Sequence, residues 1–185
     1  MARIVYSMLT SLDGYIARSN EDIGLPVPET ELHQHFNDMM RQASAVLAGR
    51  RMYETMRFWD SPERETGADE VGRDFAHAWR ETPKIVFSTR LRQVGLNARL
   101  VSGDAENTVR SLKEQTGGLV ILGGADFAAS LTRAGLIDEY RLYMHPVVLG
   151  GGKPYFQPGL SLALKPLGTE ILTQGVTLLR YAPAG

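Results

Sequence analysis

Two arginines follow a glycine directly after a short apolar segment, and this combination could bind phosphate. Ala45 to Ala48 form the apolar run, Gly49 ends it, and Arg50 and Arg51 open a segment of helical composition. The first turn of a helix has backbone N–H groups without intrahelical partners, and guanidinium groups suit phosphate oxygens. We therefore predict an anion-binding turn, with two solvated surface arginines as the alternative.

A second glycine-containing turn follows the most apolar short segment of the chain, Leu119 to Leu122. Here the backbone lacks side chains at the entry to a predicted helix, so a pyrophosphate could lie against it. The candidate cofactor-binding residues of this turn are Gly123, Gly124, Ala125, Asp126 and Phe127. The spacing differs from the G-x-G-x-x-G fingerprint, and Gly150 to Lys153 is no P-loop because Pro154 stands where Ser or Thr is required.

Ser88, Thr89 and Arg90 follow a third apolar run and offer two hydroxyls and a guanidinium. This set suits a phosphate monoester such as the 2′-phosphate of NADPH. Taken alone, these three residues are weak support for a phosphate-binding site.

Asp13 and Gly14 end the first apolar run, in the order Ser11, Leu12, Asp13, Gly14. Glycine lets the backbone approach a ligand, and the Asp13 carboxylate could accept a hydrogen bond from an amide or a ribose, or serve as a proton source. A tight turn capped locally by Asp13 is the alternative.

His33 lies at the edge of the apolar stripe of the first predicted helix, so we expect it to face the ligand end of the sheet and to position or protonate substrate. His35, two positions on, should point elsewhere and be dispensable. A structural role for either histidine, packed or lining a cleft, is the alternative.

Composition excludes several classes of function. Twenty basic and 21 acidic residues give a net charge of -1, which supplies no global attraction to nucleic acid. With no cysteine there is no disulfide or thiolate metal site, no His pair has metal-ligand spacing, and no G-x-S-x-G elbow occurs. No apolar stretch suits a signal peptide or a membrane span, so we expect a cytoplasmic protein without a metal.

Alternating strand and helix patterns must position these residues. Strands are predicted in Ile4–Leu9, Ala45–Ala48, Lys84–Ser88, Arg99–Val101, Leu119–Leu122, Glu139–Val148, Glu170–Leu172 and Val176–Tyr181. Helices are predicted in Glu29–Gln42, Arg50–Met56, Thr108–Gln115, around Val71–Trp79 and around Phe127–Ala134, with Trp59–Ala68 as an exposed loop. We predict one domain over residues 1–185, a three-layer α/β/α fold whose mainly parallel sheet ends in an antiparallel hairpin.

The ordered set of turns resembles the dihydrofolate reductase superfamily, and in particular its branch with the reductase domain of the riboflavin-biosynthesis deaminase/reductase. The segments that carry the resemblance are Ser11–Gly14, Leu47–Glu54, Phe87–Arg90, Leu122–Phe127 and Gly135–Gly152. The resemblance implies a mixed sheet of about eight strands and an NADPH-dependent reductase. It also implies phosphate contacts at Gly49–Arg51, Ser88–Arg90 and Gly123–Phe127, with Asp13 and Gly14 beside the nicotinamide.

Two departures leave the substrate open. True dihydrofolate reductases carry a carboxylate on the first helix, roughly where this chain has His33, and the zinc deaminase half of the riboflavin enzyme is absent. We therefore expect NADPH-dependent hydride transfer to a small heterocyclic compound. The alternatives are a phosphoribosylaminouracil-type pyrimidine reductase and a non-catalytic binding or regulatory domain. The predicted terminal strands would expose sheet edges, so a homodimer is expected.

Overall fold

An eight-stranded mixed sheet forms the centre of the computed structural model, which describes residues 1–18, 22–66, 69–115 and 117–185. Its strand order is β5-β4-β3-β6-β1-β7-β10-β9, and a separate two-stranded sheet pairs β2 with β8. The strands are β1 (Arg3–Thr10), β2 (Tyr15–Ala17), β3 (Ala43–Gly49), β4 (Lys84–Phe87), β5 (Ala98–Val101), β6 (Leu119–Gly123), β7 (Glu139–Met144), β8 (Lys153–Pro154), β9 (Leu164–Ile171) and β10 (Thr177–Pro183).

Helices cover both faces of the sheet. They are α1 (Thr30–Gln42), α2 (Arg50–Met56), α3 (Glu63–Thr66), α4 (Glu70–Glu81), α5 (Ala105–Gln115) and α6 (Ala125–Arg133). The buried side chains form one core with α5 and α6, which includes Ile4, Leu47, Val109, Leu122 and Leu131. A second core with α1 and α4 includes Met40, Val46, Phe75, Trp79 and Val86.

Strands β1 and β3 to β7 run parallel, while β10 is antiparallel to β7 and β9 is antiparallel to β10. The predicted three-layer α/β fold with an antiparallel terminal hairpin is therefore confirmed. Because β4, β3, β6 and β1 are consecutive in the sheet, the turns that follow them lie side by side at one edge.

Some element boundaries differ from the predictions. The predicted loop Trp59–Ala68 contains α3 and the end of a short 3₁₀ helix, Arg57–Asp60, although residues 67 and 68 lie outside the described part of the chain. Helix α5 begins at Ala105 because Asp104 caps it by accepting a hydrogen bond from the Asn107 N–H. Strand β7 ends at Met144, shortly before Pro146, which has no N–H for a ladder. The sheet of β2 and β8 was not predicted, because its strands are only three and two residues long.

A buried carboxylate stabilises the other edge of the central strands. Glu139 has no exposed surface, and its carboxylate pairs with Arg3 and accepts hydrogen bonds from Nε of Arg141 and of Arg180, both at 2.8 Å. Burial by itself raises the pKa of Glu139, but the hydrogen bonds from Arg141 and Arg180 outweigh it and hold the pKa below its ordinary value. The ionised carboxylate therefore ties β1, β7 and β10 together.

We expect Glu139→Gln to lower the free energy of unfolding at neutral pH by about 2 kcal/mol, because the mostly buried Arg141 would lose its counter-charge while the partly exposed Arg3 and Arg180 remain hydrated. A depressed pKa stabilises the fold above the unfolded-state pKa and ceases to do so as pH falls through the folded-state value. Urea unfolding at several pH values should therefore show that the free energies of unfolding of the wild type and Glu139→Gln become equal as the pH falls. The exposed Glu170→Gln on β9 is the control, and an equal loss in both variants would contradict this role.

Candidate active site

A cavity of about 1170 Å³ opens along the sheet edge where β3, β6 and β1 end. Its walls come from β1, α1, α2, the segment before α4, and the start of α6. Most of the side chains in these walls are apolar, and the charged ones include Arg50, Arg51, Arg90, Asp126 and Lys153. Apolar walls with a few placed polar groups are typical of small-molecule sites.

Glycines allow two strand-to-helix turns to approach each other at the cavity. A Cβ at Gly123 would lie 3.0 Å from the Met52 Cε, and one at Gly124 would lie 3.2 Å from the Met52 Cβ. Gly124 also has φ +96°, which a side-chain-bearing residue rarely adopts. A Cβ at Gly49 would lie 3.4 Å from the Phe127 Cβ. Helix α2 can therefore lie directly over the β6–α6 turn, and both helices begin beside the cavity.

Cationic side chains surround these turns. Arg50 Nη1 donates to Glu54 Oε2 at 2.7 Å, while the exposed Arg51 and Arg90 have no carboxylate partner among the described residues. Lys153, from β8, forms an ion pair with Asp126 in the first turn of α6. The side chain of Asp126 is thus an anion held by Lys153, and only its backbone suits a phosphate.

The Ser88–Arg90 turn borders a second, smaller cavity of about 320 Å³ that shares Arg50 and Arg90 with the first. Ser88 Oγ accepts hydrogen bonds from the N–H groups of Arg90 at 3.0 Å and Leu91 at 3.1 Å. The Ser88 oxygen therefore fixes the turn, while its O–H and the Arg90 guanidinium remain available to donate. Thr89 lies in the wall of the smaller cavity.

His33 lies in the cavity wall, as predicted from its place on α1. Asn37 Nδ2 donates to Val71 O at 2.9 Å and Asp74 Oδ2 at 2.7 Å, so the Asn37 Oδ1 must be an acceptor. It lies 3.0 Å from His33 Nδ1, which therefore carries a proton in the neutral ring and leaves Nε2 as an acceptor. Trp59 and Phe75 pack edge-on against this imidazole, with ring centroids 5.6 and 5.4 Å away, and this contact orients it.

Asp13 and Gly14 are absent from the cavity walls. The Asp13 carboxylate accepts hydrogen bonds from the backbone N–H groups of Leu149 at 3.0 Å and Gly150 at 2.8 Å. A hydrogen bond from the Ser11 hydroxyl, together with those from the backbone, lowers the pKa of Asp13. Asp13 is thus ionised at neutral pH and fixes a loop, so the geometry gives no support to its predicted role as a proton source.

Three side chains at the cavity were not predicted as site residues from the sequence. Lys153 is one, although its position after three glycines was a visible signal. Ser7 and Tyr143 are the others, and both line the cavity from neighbouring strands. Their alternation within apolar strands looks like ordinary packing, so no local pattern distinguishes them.

Comparison with known proteins is consistent with this architecture. The family model described as the RibD C-terminal domain matches residues 2–178. The chain belongs to the RibD C-terminal domain family. It is 26% identical over 181 residues to the uncharacterized protein YyaP of Bacillus subtilis, covering 97% of this chain and 94% of YyaP.

Two solved structures share the fold of this RibD C-terminal domain protein. A putative riboflavin biosynthesis protein from Shewanella sp. PV-4 superposes with a TM-score of 0.76 at 23% identity, over 100% of both chains. A dihydrofolate reductase from Enterococcus faecalis, complexed with NADP(H), superposes with a TM-score of 0.64 at 13% identity, over 99% of this chain and 97% of the other. The resemblance noted from the turns is thereby confirmed, and the fold is of a reductase type.

Two further features bear on the class of site. Within the described ranges, no three His, Asp or Glu side chains lie together as metal ligands. Among those same residues, none of the helices combines the length and apolar composition that crossing a bilayer requires.

Asp13 fixes the loop that contains Leu149 and Gly150, which we call the late loop. Asp13→Ala should therefore speed amide hydrogen exchange at these two residues, because both N–H groups lose their acceptor. Exchange measured residue by residue by NMR would show the effect. Asp104→Ala, which removes a helix cap far along the chain, is the control and should leave these two amides unchanged. Unchanged exchange in Asp13→Ala would contradict the assignment.

Proposed function

We propose that this RibD C-terminal domain protein is an NADPH-dependent reductase that delivers a hydride to a small heterocyclic substrate in the cytoplasm. The observation that carries the proposal is the cavity of about 1170 Å³ along the sheet edge. It joins two glycine turns, near which Arg51 and Arg90 have no carboxylate partner among the described residues, to an apolar end containing the oriented imidazole of His33. One end suits phosphates and the other suits an uncharged ring.

The residues present fit NADPH. A diphosphate needs hydrogen-bond donors, and the first turn of α6, which follows Gly123 and Gly124 in the cavity wall, has backbone N–H groups without intrahelical partners. Arg51 would offset part of the charge of the diphosphate, and Arg90 with Ser88 would hold the 2′-phosphate. When bound, the reduced nicotinamide supplies the hydride.

The order of the strands in the sheet indicates which end of the cavity would hold the phosphates and which would hold the reacting ring. Arg90 follows β4, and the sheet then continues through β3 and β6 to β1, where Ser7 lies in the cavity wall. The phosphate groups would thus occupy the β4–β3–β6 side, and the reacting ring would lie near β1 and α1. With a ring bound there, the apolar walls would limit its contact with water, which favours hydride transfer over side reactions.

At the substrate end, we propose that His33 orients the ring being reduced. Its Nε2 is the acceptor in the neutral tautomer, so it would bind an N–H or O–H of the substrate, and it could deliver a proton only as imidazolium. The aromatic packing of Trp59 and Phe75 restricts its rotation. Asp13 is not part of this arrangement.

The deciding experiment is NADPH titration of the full chain, followed by NADPH oxidation assays against pteridines, pyrimidines and quinones. Saturable binding with oxidation of one compound class supports the reductase, and a pyrimidine hit would indicate the phosphoribosylaminouracil-type alternative. Binding without turnover of any compound would favour a regulatory domain. Failure to bind NADPH would refute the proposal.

Arg90→Ala should remove most of the preference for NADPH over NADH. A guanidinium–phosphate contact contributes roughly 1.5–3 kcal/mol, so the wild type should bind NADPH at least about tenfold more tightly than NADH. Fluorescence titration with both cofactors measures the ratio, and the exposed neighbour Arg92→Ala is the control. Equal affinities in the wild type would remove the 2′-phosphate assignment.

We also propose a homodimer formed through the uncovered edge of the sheet. Within the described residues β9 pairs only with β10, and it exposes the apolar side chains of Leu167 and Ile171. Light scattering at micromolar concentration should return twice the 20.4 kDa of one chain. Ile171→Lys should shift that mass toward the monomer, whereas a wild-type mass near 20.4 kDa would contradict pairing.

A further inference from the structure

The Met39 sulfur links Ser7, in the cavity wall, to the Tyr143–His35 pair under α1. The Tyr143 hydroxyl lies 3.0 Å from His35 Nε2, and the hydroxyls of Ser7 and Tyr143 each lie 3.7 Å from the Met39 Sδ. Ser7 and Tyr143 both line the cavity, whereas His35 lies behind them. The sequence predicts a dispensable His35, but in the structure His35 contacts the buried Tyr143 hydroxyl.

Sheet register explains how residues so far apart in sequence meet. Strand β1 pairs Leu9 with Tyr143 and Ser7 with Arg141. Ser7 and Tyr143 are therefore diagonal neighbours on the same face, the one that α1 covers. Tyr143 has no exposed surface, while Ser7 is partly exposed. Of the two, Ser7 is thus the residue that can touch a bound molecule.

The Ser7 hydroxyl is an under-used donor in apolar surroundings. Its hydrogen-bond partner among the described residues is the Met39 Sδ at 3.7 Å, and a thioether is a weak acceptor. The remaining walls nearby are the side chains of Leu9, Phe36 and Met39. A donor held in such surroundings discriminates strongly, because a ligand without an acceptor leaves it without a good partner.

Tyr143 and His35 fix the Met39 sulfur that Ser7 contacts, because the Tyr143 hydroxyl lies 3.7 Å from the Met39 Sδ and 3.0 Å from His35 Nε2. Burial raises the pKa of Tyr143, so its O–H is retained, and burial lowers the pKa of His35, so the imidazole is neutral at neutral pH. The charged groups around the pair are Glu139 and Arg141 on β7, Glu170 on β9 and Asp38 on α1. Tyr143 in turn packs on Phe36, with ring centroids 4.9 Å apart.

We propose that Ser7 is a specificity-determining residue that donates a hydrogen bond to an acceptor on a flat, uncharged substrate ring, and that Tyr143 and His35 are positioning residues that fix the Met39 sulfur against Ser7. The acceptor is a carbonyl oxygen or a ring nitrogen. This inference rests on the proposed function, because it concerns the substrate end of the same cavity. It identifies a neutral donor in the same cavity wall as His33, whose Nε2 is an acceptor.

Isoquinoline and naphthalene are a matched pair of probes, since they have the same shape and differ in one ring nitrogen. Ligand-observed NMR titration of the cofactor-free full chain at neutral pH gives both dissociation constants. Damage to the cavity that weakens both probes equally leaves the ratio of the two dissociation constants unchanged. Wild-type protein should bind both, and Ser7→Ala should shift the ratio toward naphthalene by about fivefold, the worth of one neutral hydrogen bond.

The positioning residues are tested by the same ratio. Tyr143→Phe and His35→Leu should each shift it in the same direction, and His35→Gln should restore it because an amide can still donate to Tyr143. Tyr53→Phe is the matched control, since the Tyr53 hydroxyl is buried elsewhere and accepts from the Gly95 N–H. Its ratio should equal that of the wild type.

An unchanged ratio in Ser7→Ala would overturn the proposal, as would failure of the wild type to bind either probe. Equal weakening of both probes by Tyr143→Phe would reduce Tyr143 to a packing residue and overturn its positioning role. NADPH affinity, measured separately on each variant, distinguishes these outcomes from failure of the reductase proposal. Retained NADPH binding with an unchanged probe ratio refutes only the role of Ser7.

Discussion

The close approach of α2 to the turn between β6 and α6 is the contact on which the cavity depends. Met52 lies so near Gly123 and Gly124 that any side chain there would meet it within 3.2 Å. Interiors of proteins are close-packed, so a side chain at either glycine would force α2 away from the sheet. The width of the cavity, and the access of Arg50 and Arg51 to it, follow from this one contact.

Charge and apolar surface are separated along the cavity. Arg51, Arg90 and the Lys153–Asp126 pair lie near the turns after β3, β4 and β6, whereas the walls near β1 and α1 are mostly apolar. Within the apolar part, the polar groups of His33 and Ser7 have partners in the Asn37 Oδ1 and the Met39 Sδ. Since an unpaired polar group in such surroundings is costly, these partners set what the site accepts.

Loops distant in sequence close one side of the site, and a second glycine constraint holds them. A Cβ at Gly152 would lie 2.1 Å from the Ala17 carbonyl oxygen, so only glycine allows β8 to pair with β2. That pairing carries Lys153 toward α6, and Asp13 fixes the preceding residues through two backbone N–H groups. The late loop therefore contributes to the site through Lys153, while its glycines serve the folding of the chain.

Local chemistry determined much of this protein. Apolar runs of strand length, glycines at their ends and the stripe on α1 predicted the layers, the turns and the place of His33, because each depends on residues within one element. The contacts that complete the site join residues far apart: 27 positions for Asp126 and Lys153, 108 for His35 and Tyr143, and 136 for Asp13 and Leu149. Only strand order and register bring these residues together. A single strand pattern is compatible with many pairings, so only the tertiary structure could decide which polar side chains meet.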